Sequence, residues 1–337
     1  MDPDNKASLP RFVQAYSFPD FFDHLFRMLP HTWKTSILGG LVLLGGPALL
    51  VAVVVPRSFS GMAAAVEQTS RFSGLDETGA LWTLLGWNAL LILLGVATLI
   101  LNKLATLAVA HRTRDAAFGK QSSWTECIKD ALWNSLWPSI LQSLLKALMI
   151  VAVVAVPTLL VVLASLLGGG GAAPLAIGMA LVYIGVLVAS LWIVYSLLFS
   201  EYAVVFDHSR VVTGLRKSSQ LVKGHWWRVF GITLLLTIAL SFATGLVTTP
   251  IAGASMLPSI GQMLEAGMEG TFTDQEMIRL LSNAGGIGIG IAISTLIQQL
   301  AVLLFMPVFY SLFYIDLKVR AGELGHQDDP PEDPGEQ

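Results

Sequence analysis

The side chains of this 337-residue chain that could do chemistry are six histidines, one cysteine and a few polar residues set inside apolar runs. Histidine ligates metals most readily in pairs three or four residues apart on one helix face, and it acts as general acid or base beside carboxylates. His24, His31, His111, His208, His225 and His326 show neither His-x3-His nor Glu-x-x-His spacing. All six read as interfacial or solvated side chains. Cys127, in Trp124-Thr125-Glu126-Cys127-Ile128-Lys129-Asp130, has no paired base and reads as a small apolar residue on an amphipathic stretch. Being alone, it excludes an internal disulfide and any multi-cysteine zinc or iron–sulfur site. Asn88, Lys146, Gln298 and Gln299, with Gln142, lie inside apolar runs, where a polar group is costly unless satisfied. They are the candidate intramembrane polar positions of a transport path, and Lys146 either faces a cavity or snorkels to the interface. No acid accompanies them, which counts against a proton- or sodium-coupled carrier. No catalytic residue, metal ligand or cofactor-binding residue is assigned, and no cofactor is expected.

A second candidate is electrostatic. Arg210, Arg216, Lys217, Lys223 and Arg228 fall in one short segment, in which Val211, Leu215, Val222 and Trp226 recur at steps of four, seven and four. That spacing predicts a helix lying in the membrane interface, its apolar side in the acyl boundary and its cations on anionic headgroups or an acidic partner. The alternative is that these charges act only in setting topology.

The elements that must carry these residues follow from composition. Apolar residues make up 54% and charged residues 13% of the chain, against about 45–50% and about 25% for a soluble domain. A net charge of −3 offers no bulk basic surface for nucleic acid. Six apolar stretches reach the ~20 residues a helix needs to cross hydrocarbon: residues 36–56, 81–101, 137–167, 174–198, 229–250 and 285–308. The fold class expected is all-α: a polytopic membrane protein whose six transmembrane helices form three helical hairpins, with cytoplasmic interfacial amphipathic helices. Residues 1–35 form a cytoplasmic tail with an amphipathic helix, 36–320 the membrane domain, and 321–337 an acidic, proline-rich, disordered cytoplasmic tail. The polar start does not look like a cleavable signal peptide. Sixteen Lys and Arg lie before the first span, in the second-to-third and fourth-to-fifth connections and after the last span, whereas only Arg57, Arg71 and Arg279 lie in the opposite ones. Basic residues resist translocation, so both termini are expected in the cytoplasm. Gln121 and Gly214 should face that side, and Gly74, Gly170 and Glu269 the other.

A threefold pattern runs through the chain. Trp33, Trp137 and Trp227 each precede a proline, Pro56, Pro157 or Pro250, by 20 to 23 residues. Tryptophan suits the headgroup level, where its ring is buried and its N–H stays wet. Glycine-rich stretches read as packing devices. Gly286, Gly290 and Ser294 form a small-residue stripe that allows close helix approach, Gly168–Gly171 a tight turn, and Thr273 to Glu276 a capping box.

The stretches Val204 to Asp207, Gly214 to Ser218 and Leu221 to Ile232, with Ser17 to Arg27 and Leu312 to Arg320, resemble the membrane domain associated with bacterial glycerophosphoryl diester phosphodiesterases. The resemblance implies a six-span fold in a bacterial inner membrane and often no catalytic domain. The catalytic barrel of such enzymes starts His-Arg-Gly, whereas here His111-Arg112 is followed by Thr113. The longest non-membrane connection, residues 102–136, is far short of the ~250 residues of a barrel. The expectation is a non-enzymatic membrane scaffold, regulator or assembly factor; a transporter or lipid-handling permease with a cavity between the hairpins is the alternative. Its expected partners are the bilayer, anionic lipids or another membrane protein, and no nucleic acid.

Overall fold

A computed structural model describes residues 15–71, 77–167, 172–269 and 284–324. The Gly168–Gly171 turn, the 273–276 capping box, His326 and most of the acidic tail lie outside them. The described residues are helical: α1 (Phe18–Arg71), α2 (Glu77–Ala117), α3 (Trp124–Asp130), α4 (Leu136–Leu167), α5 (Ala172–Ser196), α6 (Ser200–Asp207), α7 (Val211–Val222), α8 (Trp226–Glu269) and α9 (Ala284–Arg320). A π-helical turn, Ala131–Ser135, joins α3 to α4 without a break. Five helical segments are long and apolar enough to cross a membrane: Leu85–Ala117, Trp124–Leu160, Gly178–Asp207, Trp226–Leu257 and Ile289–Arg320. The first expected span is represented by a shorter apolar stretch, Gly39–Val54, inside α1.

The helices outrun the apolar runs that predict them. With 54 residues, α1 fuses the expected tail helix and first span into one rod, ~80 Å long at the α-helical rise. Pro56, Pro157 and Pro250 sit inside α1, α4 and α8 and end none of them. Proline is tolerated in membrane helices because neighbouring groups re-satisfy the freed carbonyl. The tryptophans of the repeat are 43%, 72% and 77% exposed at Trp33, Trp137 and Trp227. The expected connection at 102–136 is also largely helix: α2 continues to Ala117, and Leu104–Val109 pack almost wholly inside.

The chain divides into two compact units. One contains residues 32–106 and 236–306. There, α9 lies close against α1 and α8. A Cβ on Gly40 would come within 2.8 Å of Leu300 and Leu303, and one on Gly290 within 2.2 Å of Ser255. Ser294 Oγ donates to the Thr248 carbonyl at 3.3 Å. The small-residue stripe therefore packs α9 on α8.

The other unit contains residues 15–31, 107–235 and 307–324. Its centre is aromatic: Phe21, Phe199, Phe309, Phe313 and Tyr314 are fully buried. Phe21 meets Phe309 and Phe313 with ring centroids 5.3 and 5.4 Å apart, and Phe199 meets Phe313 at 5.4 Å. Burying rings of this size is the main hydrophobic contribution to holding α1, α6 and α9 together.

Candidate functional site

Around that aromatic centre the charged residues form a lattice with three carboxylates as nodes. Asp207 ends α6, before His208 takes the left-handed conformation (φ 50°) that turns the chain into α7. Its carboxylate receives Lys318 Nζ at 2.6 Å, Lys217 Nζ at 2.9 Å and the Tyr314 hydroxyl. Glu323 extends the node, 3.2 Å from Lys217 and 3.7 Å from Lys318. Thus the beginning of the expected acidic tail belongs to the lattice. For Lys217, burial lowers the pKa, but the carboxylates of Asp207 and Glu323 outweigh it and hold the ammonium above its ordinary range.

Asp316 is the second node and is completely buried. It accepts the Tyr16 N–H at 2.7 Å and Arg320 Nε at 3.0 Å, and pairs with Arg228 at 3.4 Å. Both guanidinium groups also donate to the Tyr16 carbonyl, at 2.8 and 2.6 Å. Burial, reinforced by the Asp316 charge, holds the Tyr16 phenol well above its ordinary pKa range. The third node is Glu201, which pairs with Lys146 at 2.8 Å and accepts from Ser143. Burying a charge is tolerable only when it is paired and hydrogen-bonded, and each node meets that condition.

Neutral contacts seat α7. Ser218 Oγ donates to the Ser196 carbonyl at 2.9 Å and accepts the Phe199 N–H at 3.1 Å. Gln142 Nε2 donates to the Val211 carbonyl at 3.0 Å. Gly214 permits this approach, since a Cβ there would lie 2.4 Å from Gln142 Nε2 and 3.1 Å from the Ser200 carbonyl. The apolar side expected to sink into lipid, Leu215 and Val222, is instead buried in the protein. The basic segment is not one helix either. Gly224 takes φ 90°, so Trp226 begins α8.

The two sets of candidate residues are redistributed accordingly. Lys217 and Arg228 belong to the lattice, while Arg210, Arg216 and Lys223 are exposed and form no ion pair among the described residues. Lys146 has Glu201 as its partner. Asn88 and Gln298 are exposed and Gln299 is half-buried, all in the other unit. His111, expected to be interfacial or solvated, is 1% exposed, with Nε2 2.9 Å from Ser135 Oγ. Cys127 is buried beside Ser122, in keeping with its reading as a small apolar residue. Among the described residues no three His, Cys, Asp or Glu side chains group closely enough to hold a metal.

Sequence reasoning named none of the three carboxylates as a site. Their signal is rarity: an acid at the edge of an apolar run in a chain of 13% charge. The stretches that carry the family resemblance are also the ones that meet here. No curated protein and no solved structure matches the chain. One family model does match, running from within α1 to Asp316 of the lattice, and over residues 42–316 the chain belongs to the family described as Domain of unknown function (DUF7847).

Proposed function

We propose that the protein is a non-catalytic scaffold or assembly factor of a bacterial inner membrane, with six spans in three hairpins and both termini cytoplasmic. The observation that carries the reading is the commitment of Glu201, Asp207 and Asp316 to ion pairs within the chain. A hydrolase or a proton-coupled carrier needs a carboxyl free to change protonation in its cycle. Carboxylates held in ion pairs within the chain are better suited to holding helices in place. The cations left outward, Arg210, Arg216 and Lys223, form the contact surface for an acidic partner or anionic lipid. Kinship with the membrane domain associated with glycerophosphoryl diester phosphodiesterases is part of the proposal and rests on the motif stretches; the family match does not bear on it.

The test uses the purified full chain reconstituted in vesicles. It should not hydrolyse glycerophosphodiesters above a protein-free blank, with or without divalent metal. A photocrosslinker at Val212 should capture a discrete set of membrane proteins, and Arg210→Gln with Arg216→Gln should abolish that capture. Turnover that rises with protein and disappears in Glu201→Gln would overturn the reading. The alternative, a transporter or lipid-handling permease, draws on Lys146 and Glu201, a charged pair within helices long enough to span the membrane. It is adopted if the vesicles exchange labelled lipid between leaflets and Lys146→Gln stops them.

A further inference from the structure

A groove of about 370 Å³ opens between the end of α5, the end of α7 and the start of α8. Trp192, Ser196, Ser219, Lys223, Gly224 and Trp226 line it. We propose that it binds the phosphate of an anionic glycerophospholipid.

Side chains carrying four donors line this space. Lys223 supplies an exposed ammonium with no carboxylate partner among the described residues. This sets it apart from Lys217, six residues earlier, whose charge is engaged by Asp207 and Glu323. Ser196 is only 5% exposed, and neither its hydroxyl nor that of Ser219 has a hydrogen-bond partner among the described residues. The Trp226 indole N–H is buried with no acceptor, although its ring is held firmly, stacked on Phe230 at 5.2 Å and edge-on to Tyr195 at 6.0 Å. A buried donor without an acceptor is rare enough in folded proteins to need an explanation. Phosphate oxygens carry negative charge and accept from ammonium, hydroxyl and indole N–H alike.

The surroundings choose the lipid over a soluble phosphate. The groove lies where two helices long enough to span the membrane, containing Trp192 and Trp226, meet a turn carrying Lys223. Trp192 is 58% exposed and Trp227 77%, on the faces next to the groove. Aromatic rings so placed sit at headgroup depth, with apolar helix surface below them for acyl chains. A lysine at this level meets the phosphates of a charged leaflet. Gly224, at φ 90°, makes the tight turn that brings α7 and α8 to the groove, and a side chain there would be strained. The site rests on the reading of Lys223 as an outward contact for anionic lipid and narrows it to a phosphate in one groove, although a lipid held here would serve a scaffold or a permease equally.

Native mass spectrometry of the purified full chain in detergent tests the proposal, with short-chain phosphatidylglycerol and phosphatidylcholine as probes. Phosphatidylglycerol should be retained and phosphatidylcholine not. Lys223→Gln should weaken retention about five- to tenfold, the change expected for one lysine at a charged surface. Lys223→Arg should restore most of it, and Ser196→Ala should weaken it about threefold. Lys129→Gln removes an exposed charge outside the groove and should change nothing. Each variant is required to melt at the wild-type temperature, and Ser219→Ala replaces Ser196→Ala if the latter does not. Equal retention of the two lipids, or equal loss in Lys129→Gln and Lys223→Gln, overturns the site. Full displacement by glycerol phosphate or inorganic phosphate at the lipid's own concentration would assign the groove to a soluble phosphate and overturn the lipid.

Discussion

Replacing Asp316 by alanine should be the most damaging single change in the charged lattice. The carboxylate is completely buried and sits within 2.7 to 3.4 Å of three donors: the Tyr16 N–H, Arg320 and Arg228. Its removal leaves two guanidinium groups facing each other, both tethered to the Tyr16 carbonyl and so unable to swing away. Breaking a fully buried pair from one side costs about 3–5 kcal/mol. Here the arginines are 25% and 28% exposed, and water reduces that to about 2–4 kcal/mol. Orphaning the Tyr16 N–H restores about 1 kcal/mol of the loss. Asp316→Asn keeps an acceptor for that N–H and loses only the charge, so it should cost about half as much. The internal reference is Asp23, whose pair with Arg27 is 56% and 68% exposed; Asp23→Ala should cost less than about 0.5 kcal/mol. Unfolding in detergent, followed by far-ultraviolet circular dichroism, gives all three values. If Asp316→Ala lies within about 1 kcal/mol of Asp23→Ala, the lattice does not hold α1, α8 and α9 together and the energetic reasoning fails.

Gly214→Ala puts a methyl 2.4 Å from Gln142 Nε2 and should destabilise the protein by about 1–3 kcal/mol; an unchanged melt would show that α7 shifts freely. Lys217 has a folded pKa above its ordinary value, so its contribution is complete below the unfolded value and is lost as pH rises through the folded one. The buried Tyr16 phenol, also raised, acts in the same direction, because the unfolded chain ionises first. Stability should therefore fall as the pH is taken above 10.5, and Lys217→Gln should flatten that fall; a melting temperature level to pH 11.5 would contradict it. For topology, Cys127→Ser provides a cysteine-free chain. Cysteines at Gly74, Gly170 and Glu269 should react with an impermeant reagent in intact cells, and those at Gln121 and Arg210 should not. Arg210 replaces Gly214 as the cytoplasmic marker because Gly214 is buried; labelling at Gln121 but not at Gly74 would invert the orientation.

Composition makes the fold class legible because hydrocarbon admits few solutions, and a run such as residues 229–250 announces itself. Helix ends are less legible. The apolar run of α2 closes near Leu101, yet the helix continues to Ala117 because Leu104, Leu107 and Val109 find partners that local sequence does not name. His111 reads as solvated for the same reason, its partner Ser135 being 24 residues away. The basic segment shows the converse error. Steps of four and seven align Val211 with Trp226 only if the helix runs through Gly224, and glycine there breaks it. The lattice was the least legible part of the site. Glu201 and Lys146 are 55 residues apart, and Asp207 and Lys318 are 111 apart. Charge pairing over such distances follows from the packing of helices and cannot precede it in a reading along the chain.

The π-helical turn at Ala131–Ser135 works as a phase corrector. Cys127, Ala131, Ser135, Ser139 and Gln142 are all buried and follow one another at intervals of four, four, four and three. Along an α-helix a step of four overshoots the turn by about 40°, so such a series winds off the face it began on. The wider turn of the π segment makes one of those steps fall short instead, cancelling the drift. A rod that enters on Cys127 thereby still presents Gln142 to α7 fifteen residues later. A regular α-helix over the same residues would turn Gln142 away from the Val211 carbonyl. The irregularity is what keeps the beginning and middle of this rod in register with a single neighbouring surface.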